Sequence, residues 1–257
     1  MELKKIRIAQ IGTSGNSHGC EIFRELNKLT DTFEVVGFAF PENERTKFPS
    51  LMNRFEGYRE MTVEEILSDP TIEAVSVETE EIYLTKYALM AARAGKHIHM
   101  EKPGTPDGAL FRELIDVVKE KGLVLSIGYM YRFNPKVIEA INKIERGDIG
   151  DVYAVEAHMD CIHDKPLRAW LELFPSGMLY FLGCHLIDLI YRIQGEPQAV
   201  MPLSCSTHRD DLATDDYGMV VLRYPNGISY AKTCASEWGG FLRFLPDLRG
   251  RTKAPAL

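Results

Sequence analysis

The sequence predicts an α/β fold: a Rossmann-like, doubly wound parallel sheet followed by an α+β domain with a mostly antiparallel open sheet. In residues 1–127, apolar runs alternate with segments of helical spacing, an order typical of parallel strands joined by right-handed crossovers. In residues 128–257, helical segments come first and strand-like runs follow, which favours an α+β arrangement. We therefore expect two domains, with a boundary near Gly128.

The first half contains five predicted strands with helices between them. A turn rich in glycine and serine, at 12–19, follows the first strand. Thr62 and Glu65 have the spacing of a capping box, so a further helix is expected to begin at Thr62. The predicted strands are 6–11, 33–40, 74–77, 96–100 and 123–128, and the other predicted helices are 21–29, 84–94 and 108–121.

The second half has two predicted helices and four predicted strands. The helix at 134–146 is amphipathic, and the helix at 178–193 is long and apolar. The dipeptide Asn226-Gly227 separates the last two strands and is a hairpin signal. The predicted strands are 151–159, 199–206, 217–224 and 228–234.

Composition and charge exclude several classes of function. The chain has 257 residues, 45% of them hydrophobic, and a net charge of −7 without a basic stripe, which argues against a nucleic-acid surface. No apolar run approaches the roughly 18 residues that span a bilayer, and the N-terminus lacks a signal-peptide pattern. The five cysteines are odd in number and include no Cys-x-x-Cys pair. Reduced thiols and a cytoplasmic location are therefore expected.

Two groups of histidine and cysteine residues are candidate metal ligands. His158, Cys161 and His163 are close in sequence, and His97 and His99 share one strand face. A zinc site needs three or four convergent ligands, whereas these groups belong to different strand ends. Packing or surface positions explain them better, and no metal is expected.

The segment Glu101-Lys102-Pro103 follows directly after the predicted strand 96–100. The carboxyl ends of parallel strands form the crevice in which such folds bind ligands. A lysine there, beside an acid and a proline, can donate to a reacting hydroxyl or carbonyl group and shuttle its proton. The alternative is an ordinary strand-to-loop turn.

Five segments, in this order, resemble the glucose-fructose oxidoreductase, inositol dehydrogenase and rhizopine-catabolism (Gfo/Idh/MocA) family. The resemblance covers residues 5 to about 240, and the order and spacing of the segments are more specific than any one of them. The segments are the turn at 12–19, Asp69-Pro-Thr-Ile-Glu-Ala74, Ala94-Gly-Lys-His-Ile-His-Met-Glu-Lys-Pro103, Gly128-Tyr-Met-Tyr-Arg-Phe-Asn-Pro135 with Gly147-Asp-Ile-Gly-Asp-Val152, and Gly183-Cys-His-Leu-Ile-Asp-Leu189 with Gly195-Glu-Pro197.

The resemblance implies a dinucleotide-binding domain at 1–127 and a domain for substrate binding and oligomerisation at 128–257. It implies a dehydrogenase that uses NAD or NADP, without indicating which, on a small sugar, polyol or related hydroxylated molecule. A homo-oligomer is also implied. Lys102 would hydrogen-bond the substrate oxygen, and His185 would act as general acid/base. The implied cofactor-binding residues are Gly12, Thr13, Ser14, Gly15, Thr79, Glu101 and Lys102.

The position of His185 in the predicted helix permits this role. Phe181, His185 and Asp188 have the spacing of one helix face. His185 could then face Lys102 from the second domain, with substrate between them. The alternative is a packed histidine on an apolar helix.

Four features depart from the family pattern, all in the expected cofactor or catalytic lining. Serines replace two glycines of the dinucleotide fingerprint, an aromatic residue replaces the ribose-binding acid, two acids replace Pro-Asn, and a second aromatic replaces the aspartate one turn before the histidine. Two functions stay open: an oxidoreductase with altered cofactor contacts, or a non-catalytic ligand-binding or regulatory relative. The residues are Ser14, Ser17, Phe40, Glu80, Glu81 and Phe181.

The last nineteen or so residues, 239–257, predict an irregular tail, because arginines, prolines and glycine break any period. Family members usually continue past the strand that ends at Cys234. The tail is expected to be a natural short variant or a truncated or frame-shifted product. The sheet would then end early and expose an edge, which invites pairing with another chain.

Overall fold

The computed structural model describes residues 4–238 and the backbone of one further strand, Asp247–Arg251. The chain forms two compact units, Met1–Gly128 and Tyr129–Leu257. Within the described ranges, no helix is both long enough and apolar enough to cross a membrane.

The first unit contains a five-stranded parallel sheet with the order β2-β1-β3-β4-β5. This confirms the predicted doubly wound sheet. The chain leaves β1 toward β2 on one side and later returns to pair β3 on the other, so the strand order reverses between β1 and β3. Ligands bind at such a reversal, beyond the carboxyl ends of the strands. The strands are β1 (Ile6–Ile11), β2 (Phe33–Ala39), β3 (Ala74–Val77), β4 (His97–Met100) and β5 (Leu125–Ile127).

Helices α1–α5 connect these strands. The predicted capping box is confirmed at α3, where the Thr62 hydroxyl accepts from the Glu65 N–H and the Glu65 carboxylate accepts from the Thr62 N–H at 2.7 Å. A 3-10 segment, Pro49–Phe55, lies between α2 and α3. The helices are α1 (Gly19–Lys28), α2 (Glu44–Lys47), α3 (Val63–Ser68), α4 (Leu84–Arg93) and α5 (Gly108–Glu120).

An aromatic cluster lies beside β2 and fixes the start of the loop that follows it. Phe23, Phe38 and Phe55 are almost fully buried, and Phe40 packs against them. The Phe40 ring lies 4.7 Å from the Phe38 ring and 4.9 Å from the Phe55 ring, centroid to centroid. Burying each such side chain stabilises the fold by about 1.5–3 kcal/mol. Packing therefore explains the aromatic residue at position 40.

The second unit contains a five-stranded sheet with the order β10-β6-β9-β8-β7. The β6–β9 pair is parallel and the other three pairs are antiparallel, so the predicted mostly antiparallel sheet is confirmed. The strands are β6 (Asp151–Asp160), β7 (Ala199–Cys205), β8 (Tyr217–Tyr224), β9 (Gly227–Cys234) and β10 (Asp247–Arg251).

The expectation of an irregular tail at the end of this sheet is wrong in part. The strand β9, which ends at Cys234, lies between β6 and β8. Part of the predicted irregular tail is the strand Asp247–Arg251, which pairs with β6 because the exposed backbone of β6 accepts a strand without requiring a side-chain period. Residues 239–246 and 252–257 of that tail lie outside the described residues.

The hairpin between β8 and β9 forms as predicted, although its turn is one residue earlier. Tyr224 pairs with Gly227, so Pro225 and Asn226 form the turn. Gly227 is the first residue of β9, where a Cβ atom would lie 1.7 Å from the Tyr153 carbonyl oxygen. Only glycine fits this approach without moving the backbone.

The predicted long helix at 178–193 is in fact two helices, which corrects the sequence interpretation. The chain breaks at Leu182 (φ −109°, ψ −31°), where a Cβ atom on Gly183 would lie 2.7 Å from Leu179 Cδ1. Phe181 therefore belongs to the first helix, and only His185 and Asp188 share the second. The helices of this unit are α6 (Pro135–Glu145), α7 (Lys165–Trp170), α8 (Gly177–Phe181) and α9 (Gly183–Gln194).

Phe181 has a packing role in this unit. Its side chain is buried, and the Trp170 ring meets it edge-on at 5.2 Å between centroids. Trp170 also packs against Phe174 at 4.8 Å. This contact accounts for an aromatic residue where the family pattern has an aspartate.

Candidate active site

Four chain segments emerge at the same edge of the first sheet, because its strands are parallel. The backbone ladder continues one residue beyond the strands: Gly12 N–H donates to Ala39 O at 2.7 Å, Glu78 N–H to Ile11 O at 2.8 Å, and Glu101 N–H to Val77 O at 3.0 Å. The loops that follow Gly12, Glu78 and Glu101 therefore begin at one level. The structure brings the predicted cofactor residues of the first unit to this edge.

Gly12 and Thr79 form the closest contact between two of these loops. Gly12 has φ +88°, and a Cβ atom there would lie 2.4 Å from Thr79 Cγ2 and 2.7 Å from its backbone. The left-handed conformation and the approach both require glycine. The loop after β1 is thereby held against the loop after β3, with Thr13 and Thr79 fully buried.

The serines of the loop after β1 fold the turn upon itself. The buried Ser14 hydroxyl accepts from the Asn16 N–H at 3.2 Å, and the Ser17 hydroxyl donates to the Ser14 carbonyl oxygen at 3.5 Å. Within the part of the chain that the structure describes, the N–H groups of Ser14 and Gly15 have no acceptor. These two N–H groups are suited to bind an anionic group.

Glu44 is a residue of this loop's surroundings that the sequence analysis missed. Its carboxyl group is fully buried, and its Oε2 accepts from the Thr13 N–H at 3.0 Å. Burial raises the pKa of Glu44 to about 9. The group is therefore protonated at neutral pH and does not repel an anion at the loop. The sequence does not predict the burial of Glu44, since a glutamate directly after a turn is expected to be exposed.

The acids after β3 have different environments. Glu80 pairs with Lys47. Glu78 is fully buried, with Oε1 accepting from the Ser76 hydroxyl at 2.8 Å, and burial raises its pKa well above the ordinary value. Glu81 is also fully buried, and burial raises its pKa to about 7, while Lys102 opposes the rise. The two charges that the sequence suggested near the cofactor are thus one ion pair and one acid whose pKa is raised by burial.

Lys102 lies beyond the end of β4 and is buried together with its neighbour Glu101. Glu101 Oε1 lies 3.8 Å from Lys102 Nζ and 3.7 Å from His18 Nδ1. Contact with the Glu101 carboxylate raises the pKa of His18, whose side chain is 47% exposed. One chain of contacts therefore runs from the buried Lys102 amine, through the shared Glu101 carboxylate, to the partly exposed His18 imidazole.

The first unit fits a dinucleotide at this edge. The glycine-enforced contact of Gly12 with Thr79 shapes the loop, Ser14 and Gly15 offer N–H donors, and Glu44 is uncharged at neutral pH. The altered glycine positions are compatible with phosphate binding, since the Ser14 hydroxyl is turned into the loop.

His185 lies in the second unit, on α9, and is buried. The rings of Tyr129 and Tyr131 meet it edge-on, with centroids 5.9 Å and 5.0 Å away. Arg132 forms a two-bonded ion pair with Asp188 on the same helix, which ties the segment of the two tyrosines to α9. Burial raises the pKa of Tyr129, so it remains a neutral hydroxyl beside the imidazole.

A second buried polar group of this unit surrounds Arg168. Its guanidinium is almost fully buried, pairs with Asp210, and lies 3.7 Å from Asp216. It also donates to the Arg209 carbonyl oxygen at 2.9 Å. Arg168 therefore joins α7 to the segment before β8.

The histidines weighed as metal ligands have other contacts. His158 Nε2 lies 3.0 Å from the Tyr230 hydroxyl, and His97 Nδ1 accepts from the Val124 N–H at 3.0 Å. Cys161 Sγ lies 3.2 Å from His163 Nε2. Among the described residues, no group of three or more potential ligands is arranged to hold a metal ion.

Comparison with known proteins identifies both units. Residues 6–129 match the family model described as "Oxidoreductase family, NAD-binding Rossmann fold", and residues 137–241 match the model of the Gfo/Idh/MocA C-terminal domain. The chain belongs to the Gfo/Idh/MocA oxidoreductase family. The predicted family resemblance is confirmed, and the first unit is the NAD-binding Rossmann fold of that family.

Individual relatives of this Gfo/Idh/MocA chain support the same assignment. An uncharacterized oxidoreductase of Schizosaccharomyces pombe is 32% identical over 166 residues, covering 63% of this chain and 45% of that protein. The scyllo-inositol 2-dehydrogenase (NADP(+)) IolW of Bacillus subtilis is 27% identical over 226 residues, covering 86% and 61%. The chain spans about half the length of the curated relatives it matches.

A solved structure supports the fold of this family member. A putative NADPH-dependent oxidoreductase of Desulfitobacterium hafniense matches with a TM-score of 0.80 at 20% identity, covering 96% of this chain and 71% of that chain. At this identity the likeness concerns the fold alone.

Proposed function

We propose that the chain carries an NAD(P)-dependent dehydrogenase activity that transfers hydride to or from the CH–OH carbon of a sugar, polyol or related small molecule. The observation that carries this proposal is the buried Lys102, in contact with Glu101, at the sheet edge where Gly12 and Thr79 shape the dinucleotide loop. The relative named scyllo-inositol 2-dehydrogenase supports the substrate class. When bound, the nicotinamide supplies or accepts the hydride.

Lys102 and His185 are the proposed catalytic residues. The Lys102 ammonium group would donate a hydrogen bond to the substrate oxygen, and its charge would favour the oxyanion that develops there. Glu101 would hold the lysine side chain in place. His185 would take or return the hydroxyl proton as general base or acid, with Tyr129 and Tyr131 fixing the plane of its ring.

Cofactor binding is proposed at Gly12, Thr13, Ser14, Gly15 and Thr79, with Glu101 and Lys102 near the reacting end. The N–H groups of Ser14 and Gly15 would donate to the pyrophosphate. The Thr13 N–H is bonded to Glu44, so its own part would be to hold the loop in shape.

A second function is favoured by a specific observation. The acids Glu78 and Glu81 are buried beside the dinucleotide edge, where Glu44 is uncharged, and any ionised form of them would oppose a pyrophosphate. A ligand-binding or regulatory relative without dinucleotide chemistry would tolerate them. Under this alternative, neither NADH nor NADPH would bind.

A homo-oligomer is the proposed assembly. The edge strand β7 is exposed along its whole length, and its side chains Val200, Met201 and Leu203 are each more than half exposed. An apolar edge of this kind is suited to contact a second copy. Light scattering of wild type and Leu203→Glu would test this, with a lower mass expected for the variant.

The proposed function is tested in two steps. Fluorescence titration with NADH and NADPH at pH 7 should give saturable, stoichiometric binding. Turnover is then screened with NAD and NADP against inositols, sugars, amino sugars and sugar acids. Stoichiometric binding together with Lys102-dependent turnover is expected. Absence of binding to folded protein would overturn the proposal in favour of the ligand-binding alternative.

A further inference from the structure

A cavity of about 530 Å³ lies at the carboxyl end of β2, within the first unit. Its walls are the loop that follows β2, the start of α3 and the first turns of α4. It adjoins the loop after β1, since Ala39 lines the cavity and its carbonyl oxygen accepts from the Gly12 N–H at 2.7 Å. The lining includes Phe40, Glu42, Thr62, Lys86 and Tyr87.

Glu42 lines this cavity, and two donors hold one of its carboxylate oxygens. Its Oε1 accepts from Lys86 Nζ at 2.5 Å and from the Tyr87 hydroxyl at 2.8 Å. These bonds lower the pKa of Glu42, with Lys86 as the larger cause, so the group is ionised at neutral pH. Its Oε2 has no donor among the described residues, which leaves that oxygen to accept from a ligand.

Phe40 cannot take this part. Its ring belongs to the aromatic cluster of Phe23, Phe38 and Phe55, and the Arg45 guanidinium lies 5.6 Å from its centroid. The position directly after β2 is therefore committed to packing. Glu42 is the next acid along the chain, and two donors from α4 hold it.

The charge balance of the cavity favours a diol over a phosphate. Glu42, Glu60 and Glu64 all line it, whereas Lys86 is its one lining cation among the described residues and is bonded to Glu42. Arg45, just outside, is paired with Glu60. A carboxylate accepts hydrogen bonds from ribose hydroxyls and repels a 2′-phosphate.

We propose that Glu42 binds the adenosine ribose hydroxyls through Oε2 and gives this chain a preference for NAD over NADP. The inference rests on the dinucleotide binding of the proposed function and adds the residue that selects the cofactor. Lys86 and Tyr87 are positioning residues, because they hold Glu42 Oε1 and leave Oε2 to accept from the ligand.

The test is a paired titration of the full chain with NADH and NADPH. Nicotinamide fluorescence and calorimetry both measure the binding. Wild type should bind NADH at least about tenfold more tightly than NADPH. Glu42→Gln should weaken NADH about tenfold, about the value of a charged hydrogen bond, and should tighten NADPH because Lys86 is released. Glu120→Gln, an exposed acid on α5 outside the cavity, is the matched control and should change either affinity less than about twofold.

Each outcome has one meaning. If both cofactors bind and Glu42→Gln leaves the ratio of their affinities unchanged, the inference is wrong and the proposed function stands. A wild-type preference for NADPH does the same. Binding of neither cofactor to folded wild type overturns the proposed function and the inference with it. Circular dichroism of each variant verifies the fold, and Glu42→Asp provides a second, conservative variant that should keep the preference for NADH.

Discussion

The Thr13 N–H donates to the Glu44 side-chain oxygen Oε2 at 3.0 Å, beneath the loop expected to bind a phosphate. The contact joins the loop after β1 to helix α2, which follows β2. Because burial raises the pKa of Glu44 to about 9, the bond is made by a neutral acid over most of the physiological pH range. A neutral carboxyl group therefore holds the loop in shape and adds no negative charge to it.

Glu44→Gln should make stability less dependent on pH. The folded pKa of about 9 exceeds the ordinary value of 4.5, so the contribution of Glu44 is fully present below pH 4.5. It is lost as the pH rises toward 9, because the unfolded chain releases its proton first. Wild type should lose up to about 1 kcal/mol more per pH unit than the variant across that window. Urea unfolding at pH 6, 7 and 8 measures it, and equal slopes would contradict the shifted pKa.

Lys102→Ala should abolish dehydrogenase turnover while leaving NADH affinity within a few-fold of wild type. His185→Ala should lower kcat by about 10²–10⁴, the contribution of a positioned acid or base. Steady-state kinetics with a substrate from the screen measure both.

Lys119→Ala is the control for these variants, since Lys119 lies on the exposed part of α5. It should keep full turnover. Normal turnover in Lys102→Ala, with this control also normal, would remove Lys102 from the catalytic assignment.

Arg168→Ala should destabilise the second unit strongly. It removes a buried cation from Asp216, which is itself buried, and from Asp210, and breaking a buried ion pair costs about 3–5 kcal/mol. Arg146→Ala removes an exposed pair with Asp148 and should cost about 0–1 kcal/mol. Denaturant unfolding of the two variants compares them, and similar losses would count against the buried network.

Gly227→Ala should destabilise the β8–β9 hairpin, because the added Cβ would lie 1.7 Å from the Tyr153 carbonyl oxygen. Overpacking of this kind costs about 1–3 kcal/mol. At Gly108, no heavy atom lies within 4 Å of an added Cβ, so Gly108→Ala should be neutral or stabilising by up to about 1 kcal/mol. A thermal shift for each variant measures the difference, and equal shifts would show that the backbone at Gly227 yields.

The ends of the strands of the first unit could be predicted to within two residues, because strands buried on both faces are continuous apolar runs. The position of Lys102 followed from the strand before it. Glu44 could not be found in this way, since its burial depends on the return of α2 to the loop after β1, and a glutamate in a turn normally faces water.

The second unit was harder to predict where tertiary contacts override local pattern. The apolar period runs through Leu182 without interruption, and only the packing of Leu179 against Gly183 indicates the break. The strand Asp247–Arg251 is defined by its partner β6 and not by its own sequence. The packing roles of Phe40 and Phe181 could likewise not be predicted, because aromatic clusters join residues that are distant along the chain.

The position of Trp170, whose ring packs on Phe174 and Phe181, determines what tryptophan fluorescence measures in this protein. Both tryptophans, Trp170 and Trp238, belong to Tyr129–Leu257, and the first unit has none. Indole emission is therefore a reporter of the second unit alone, whereas far-ultraviolet dichroism records both. If the units melt independently, the two signals give non-coincident transitions, so a single chain carries its own internal label for distinguishing them.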